Sequence, residues 1–202
     1  MATNLINLPP ADKKSTTSIE EALSKRRSVR EYKKEGLSLK EVAQILWATQ
    51  GITEPEWGGR TAPSAGGLYP LEVYLVVKEV EGLTVGVYQY LPKEHQLKRI
   101  VEGEISDKLA QAAVNQIYVQ EAPVNLVITG IYSRTTGKYG ERGIRYVQLE
   151  AGHAAQNVYL QAESLNLGTV TIGAFEDEKV RELLNLSQEE TPLYIMPVGK
   201  KR

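Results

Sequence analysis

Cysteine is absent from the sequence, which removes disulfide bonds, thiolate catalysis and cysteine-ligated metals together. Histidine is scarce: His95 and His153 are the only two, too few and too isolated for a Ser-His-Asp relay. A dominant charge is missing as well. The formal net charge is −1, so nothing draws the whole chain towards nucleic acid or an anionic membrane, and any anion site must be local. No apolar run approaches the length of a membrane span, and the N-terminus lacks the basic-then-apolar pattern of a signal peptide. Cytoplasmic residence, no membrane and no nucleic-acid partner are therefore the expectations. Neither a G-x-G-x-x-G after a strand nor a phosphate-cradling G-x-x-x-x-G-K is present, which excludes a Rossmann fingerprint and a P-loop.

What is present suits one soluble globular domain. The chain has 202 residues, 42% hydrophobic and 24% charged, enough to bury a sizeable core. Residues 1–17 carry Pro9-Pro10 and a polar stretch and read as an extended arm rather than a packed element; residues 18–202 form the domain. Ser18 and Glu21 make a capping box for a short helix, and Ser38 and Glu41 a second for a better one, with Gly51 as its stop. Residues 51–70 are glycine- and proline-bearing and read as a loop. Strands are expected at 71–80, 85–91 and 96–101, in an antiparallel ribbon. A helix at 106–118 and an apolar strand at 124–131 follow. Residues 132–144 read as a polar loop, 145–167 as the longest helix, ended by Gly168, and 169–172 as a short strand. Gly173-Ala174-Phe175 leads into an acidic helix start, and a final strand covers 193–198.

Four features carry chemistry. Arg26, Arg27 and Arg30 with Ser28 fall within five residues after the first helix, and guanidinium forks with a hydroxyl suit a phosphate. The competing reading is that cations close a helix C-terminus. In the loop after Gly58, Pro63, Ser64, Ala65 and Gly66 form a segment whose glycine lets backbone approach a ligand, as long loops in compact domains often do. Lys200 and Arg202 form a second basic group at the far end. Finally, Glu150-x-x-His153 has the spacing of half a carboxylate-bridged metal site, but the remaining ligands are missing. No metal is expected, and His153 reads as a buried, hydrogen-bonded residue of a packed helix. Two basic groups that converge on a phosphate, with backbone amides meeting a flat head, describe a flavin mononucleotide.

In this order the motifs resemble those of the nitroreductase-like flavin oxidoreductases, and most closely their SagB-type branch of thiazoline and oxazoline dehydrogenases. The residues that carry the resemblance are Arg26-Arg27-Ser28-Val29-Arg30, Leu46-Trp47-Ala48, and Ala62 to Pro70. Lys138-Tyr139-Gly140-Glu141-Arg142-Gly143, Glu150-Ala151-Gly152-His153 and Ile172-Gly173-Ala174-Phe175 complete the set. The resemblance implies an α+β nitroreductase-like fold, with a central mostly antiparallel sheet flanked by helices. It also implies a homodimer with FMN in clefts at the interface. Arg26, Arg27, Ser28 and Arg30 would hold the phosphate and pyrimidine edge, and Lys200 and Arg202 would close on the phosphate. Pro63, Ser64, Ala65 and Gly66 would reach in from the partner subunit. Either Asn115 or Gln116 would contact the ring, and the Gly173 and Ala174 turn would set a backbone amide near flavin N5. Cations at the pyrimidine edge would stabilise negative charge there.

The same resemblance links Lys138 and Tyr139 to proton removal in the azoline-oxidising relatives. A lysine base needs burial or cationic neighbours, which Arg134 and Arg142 are placed to supply. The alternative is a solvated loop lysine beside a packing tyrosine, and both stand. The resulting reading is an FMN-dependent oxidoreductase moving hydride between NAD(P)H and a small organic acceptor such as a nitroaromatic or quinone, by a ping-pong mechanism. Peptide azoline dehydrogenation is the alternative enzyme. A flavin-binding, non-catalytic scaffold of a modification complex is the alternative of another class.

Overall fold

A computed structural model describes residues 5–202. In chain order the elements are β1 (Leu5–Asn7), α1 (Ile19–Lys25), α2 (Leu39–Gln50), β2 (Ile52–Glu54), β3 (Gly59–Arg60), a single 3-10 turn (Ala65–Gly67), β4 (Leu71–Val77), β5 (Gly86–Leu91) and β6 (Gln96–Glu102). They continue with α3 (Ser106–Ala112), α4 (Ile117–Glu121), β7 (Val124–Ile131), α5 (Tyr132–Tyr139), α6 (Arg142–Ser164), β8 (Leu167–Thr169), α7 (Asp177–Leu184) and β9 (Glu190–Lys200). Seven strands form one antiparallel sheet in the order β1-β6-β5-β4-β7-β9-β8, and β2 pairs with β3 in a separate small hairpin. The fold is α+β, a central antiparallel sheet flanked by helices.

The continuous apolar runs of β4 and β7 follow from their central place, because both of their faces are covered. Val73, Leu75, Leu126 and Ile128 pack towards α2 and α6 in one core. Tyr74, Val76 and Val127 pack on the opposite face, against Leu109 of α3 and Val180 and Leu184 of α7. Caps fix where helices begin. Ser38 and Glu41 make the full reciprocal capping box of α2. At α1 only half of the box forms: Ser18 accepts from the Glu21 amide, while the Glu21 carboxylate pairs with Lys25 at 2.6 Å.

The fold differs from the sequence reading at several points. The arm is extended but it packs: β1 adds an edge strand to β6, and Leu8 is buried in the core. Residues 1–4 of that arm lie outside the described residues. The segment 51–70 contains the β2–β3 hairpin. The single helix expected at 106–118 is two, because Val114 and Asn115 take positive φ of 56° and 58° and reverse the chain between α3 and α4. Residues 132–139 are the helix α5, not loop. That helix has no side-chain cap and draws its support from tertiary packing: a Cβ at Gly143 of α6 would come within 2.8 Å of the Thr136 amide nitrogen, so the two backbones touch. Gly168 does not end α6; it lies inside β8, and the short strand lies at Leu167–Thr169, with Ile172 bridged separately to Ile195.

Candidate functional site

The arginine cluster is delivered by α1 and then laid along the sheet edge. Arg26 is the C-cap of α1, its amide bonded to the Ala22 carbonyl at 2.9 Å. From there the chain runs extended beside β8 and β9: the Val29 amide donates to Thr169 at 2.9 Å and the Lys33 amide to Lys200 at 3.0 Å. Two glycines permit this approach. A Cβ at Gly168 would lie 2.6 Å from Val29, and one at Gly199 would lie 2.8 Å from Tyr32. The basic beginning and the basic end of the chain are thereby neighbours.

The side chains then divide. The Arg26 guanidinium sits over the Tyr159 ring, 5.2 Å from its centroid, and Ser28 Oγ is 3.2 Å from the Tyr159 hydroxyl. The Thr171 amide also donates to that hydroxyl, at 2.9 Å. Burial works to raise the Tyr159 phenol, but the hydrogen bonds with Ser28 and Thr171 and the Arg26 charge outweigh it and hold the group below its ordinary value. Arg27 turns back to donate to the carbonyls of Ser24 and Arg26, at 3.0 and 2.8 Å. Arg27 thus bonds the carbonyls at the end of α1, where a cation is favourably placed. Arg30 stands 5.8 Å from the Tyr118 ring centroid. Among the described residues, no carboxylate pairs with Arg26, Arg27 or Arg30.

Tyr118 leads on to the turn before α7. Its hydroxyl donates to Gln116, whose Nε2 donates to the Ala174 carbonyl at 3.1 Å. Gln116 thus joins the Gly173-Ala174 turn, whereas Asn115 is exposed. Gly173 and Ala174 are also exposed, and a Cβ at Gly173 would meet nothing nearer than Tyr194 at 4.0 Å. Their backbone faces open space. Lys200 and Arg202 arrive in the same region as main chain, but their side chains are engaged by Glu41 and, at 3.2 Å, by Glu31.

A second wall forms elsewhere. Ser64 Oγ accepts from the Tyr69 amide at 2.9 Å, closing the loop around Gly66, which sits at φ 66°. A Cβ at Gly66 would come within 2.6 Å of the Tyr139 hydroxyl and 3.0 Å of Lys138 Nζ, so the loop and this pair meet where glycine leaves room. Pro63 is exposed and Ala65 half-buried. Arg60 stacks over Tyr69 at 4.6 Å, and Arg134, paired with Glu72 at 2.7 Å, donates to the Tyr69 carbonyl. Lys138 lies on α5 and is exposed, which corrects the loop lysine of the sequence reading. Glu150 is buried beneath the loop, but His153 is exposed and has no hydrogen bond among the described residues, so the expected buried, bonded histidine is not there. It falls on the outer face of α6.

The two walls stand on opposite sides of α6. Tyr159 touches the first and Glu150 underlies the second; nine residues of helix make about two and a half turns, which sets the two roughly half a circle apart, and rise roughly 13 Å. Of the residues assigned to the site, only Lys200 lines the cavity of about 1350 Å³ between residues 12–19, α2 and the end of α6. The contacts of Tyr159 and Tyr118 were not legible in the sequence, since Ser28 and Tyr159 are 131 positions apart.

A family model described as the nitroreductase family matches residues 23–200. The sequence is 51% identical over 183 residues to a nitroreductase-family protein of Methanocaldococcus jannaschii, covering 91% of each chain. It is 34% identical over 109 residues to the NADPH-flavin oxidoreductase of Vibrio harveyi, covering 50% of this chain and 45% of that protein. Among solved structures, a nitroreductase-family protein of Ralstonia eutropha superposes with a TM-score of 0.87 at 28% identity, over 98% of this chain and 90% of that one. A chain of the Escherichia coli microcin synthetase McbBCD complex, with truncated pro-MccB17 bound, superposes with a TM-score of 0.77 at 25% identity, over 96% of this chain and 76% of that one.

Proposed function

This chain belongs to the nitroreductase family, and we propose that it is an FMN-dependent oxidoreductase that passes hydride from NAD(P)H to a small organic acceptor. The observation that carries this reading is the arginine wall. Arg26 and Arg30 stand over Tyr159 and Tyr118, Ser28 lies beside the Tyr159 hydroxyl, and Tyr118 leads through Gln116 to the open Gly173-Ala174 backbone. Among the described residues no carboxylate pairs with either arginine. That donor set fits a flavin mononucleotide: guanidinium and hydroxyl donors for its phosphate and pyrimidine edge, and Gln116 with the turn amides for its ring. FMN when bound would supply the two-electron chemistry. The chain would bind and orient it through these residues, with Lys200 and Arg202 exchanging Glu41 and Glu31 for the phosphate.

We further propose a homodimer with the site at its interface. One chain holds its two walls on opposite faces of α6, whereas a two-fold partner can bring Pro63 to Gly66 and the Lys138-Tyr139 pair against the arginine wall. Exposed Ile19 and Leu23 on α1 and Ile144 and Leu149 on α6 suit such packing. The partner would also provide the burial that a lysine base needs. Peptide azoline dehydrogenation is the second reading, favoured by the convergence of Lys138 Nζ and the Tyr139 hydroxyl on Gly66. Anaerobic mixing of the flavin-loaded protein with NADH and with NADPH tests the first reading. Bleaching by at least one donor, followed by reoxidation with a quinone, is expected; no bleaching by either donor contradicts a nicotinamide-driven enzyme and also separates it from a catalytically idle scaffold.

A further inference from the structure

Three distant stretches of chain meet at one phenol. Tyr159 comes from the last two turns of α6, Ser28 from the extended segment after α1, and Thr171 from the segment after β8. Tyr159 is 8% exposed, whereas Ser28 is exposed. The Tyr159 hydroxyl lies 3.2 Å from Ser28 Oγ and 3.3 Å from Thr171 Oγ1, and it accepts from the Thr171 amide at 2.9 Å. Both ends of this chain of hydroxyls are anchored by backbone. Ile172 exchanges two hydrogen bonds with Ile195, at 2.9 and 3.0 Å, beside Thr171, and the Val29 amide donates to Thr169 beside Ser28.

The protons can be counted. A backbone amide only donates, so the Thr171 N–H occupies one acceptor site of the phenol oxygen. The single phenol proton then goes either to Thr171 Oγ1 or to Ser28. In the first arrangement Ser28 donates to Tyr159 and has no proton left for a ligand. In the second the Thr171 hydroxyl donates to Tyr159, the phenol donates to Ser28, and the serine proton is free for an acceptor outside. An anion beside Ser28 takes that proton and selects the second arrangement. Both hydroxyl–hydroxyl distances exceed the usual value of about 2.7–2.8 Å, so the chain has room to tighten when charge at its outer end polarises it. The Arg26 guanidinium over the ring and the same hydrogen bonds hold the phenol below its ordinary value, which makes it the better donor.

We infer that Tyr159 is a positioning residue that makes the site selective for a phosphate-bearing ligand: its hydroxyl, held by the Thr171 amide, sets Ser28 as a donor towards the anion. That the anion is the phosphate of FMN rests on the oxidoreductase reading; the chain of hydroxyls does not. Riboflavin, with the same ring and no phosphate, is then the natural comparison. Tyr159→Phe removes the hydroxyl while keeping a ring beneath Arg26.

Fluorescence titration of the full chain, stripped of flavin, with FMN and with riboflavin tests this. Tyr159→Phe should weaken FMN by about tenfold and leave riboflavin within about twofold. In the Ser28→Ala background the same change should add nothing, because its effect passes through Ser28. Equal losses for the two flavins, or losses that add in the double variant, overturn the inference and leave the flavin reading standing. A second readout needs no flavin: inorganic phosphate should shift the Thr171 amide resonance in the wild type and not in Ser28→Ala. A wild type that binds neither flavin but shows this shift loses the flavin reading and keeps the inference. The absence of the shift in the wild type, or its persistence in Ser28→Ala, overturns the inference. Should Tyr159→Phe fail to fold, the Thr171 amide in the wild type and in Ser28→Ala still decides.

Discussion

Glu150→Gln should flatten the pH dependence of folding stability across neutrality. The Glu150 carboxyl, ordinarily near 4.5, is pushed up to about 7 in the folded chain, chiefly by burial. The folded state therefore holds this proton more tightly than the unfolded one. Stability from the group is fully present below the unfolded value and drains away as pH rises through the folded one. The full difference amounts to about 3 kcal/mol, of which about 2 kcal/mol is lost between about pH 5.5 and about pH 8. Glu41 works in the opposite sense. Burial alone would raise it, but the bonds to Lys200 and Ser38 prevail and hold it low, so its contribution is lost only as the solution becomes more acid than this window. Urea unfolding followed by Trp47 and Trp57 fluorescence, at one protein concentration, measures the slope in both proteins. A wild-type curve that falls towards alkaline pH beside a flat Glu150→Gln curve is expected. Parallel curves would refute the reasoning.

Three further outcomes follow from the geometry. Gly168→Ala, whose Cβ would lie 2.6 Å from Val29, should displace Ser28 and Arg30 without altering an arginine, weakening FMN by about tenfold or more in a fluorescence titration. Lys138→Ala should spare flavin binding and quinone reduction while abolishing oxidation of a peptide azoline; equal loss of every activity would contradict that division. Co-expressed Arg26→Ala and Gly66→Val chains should form mixed dimers that regain one flavin site, although each homodimer is flavin-poor. A site built within one chain would give no recovery.

The fold was largely legible because its strongest elements announce themselves locally. The Ser38–Glu41 capping box, the apolar run of β7 and the long amphipathic α6 each need only neighbouring residues to explain them. What was missed depends on distant ones. α5 is polar, contains Gly137 and has no cap, so nothing local marks it; its helix stands on backbone contact with Gly143. The break between α3 and α4 rests on Val114, a β-branched residue at positive φ that no sequence rule favours. Gly168 looked like a helix stop because its part in docking Val29 is a contact across the chain. In the proposed site, the arginine cluster was visible as composition, but its sorting was not. Arg27 closes the helix while Arg26 and Arg30 rest on tyrosines supplied by α6 and α4. Likewise, Glu150 and His153 looked alike in the sequence, and helical phase buries one and exposes the other.

The central claim is that Arg26 and its neighbours form a flavin wall rather than a simple helix end. Its most direct measurement is the flavin released when the purified protein is denatured, compared between the wild type and Arg26→Ala with thermal stability recorded alongside. The account predicts a yellow wild type with about one FMN per chain. It also predicts an Arg26→Ala variant that melts at nearly the same temperature but carries little flavin. A colourless wild type that FMN cannot reconstitute, or a variant that keeps its flavin and loses its fold, would contradict it.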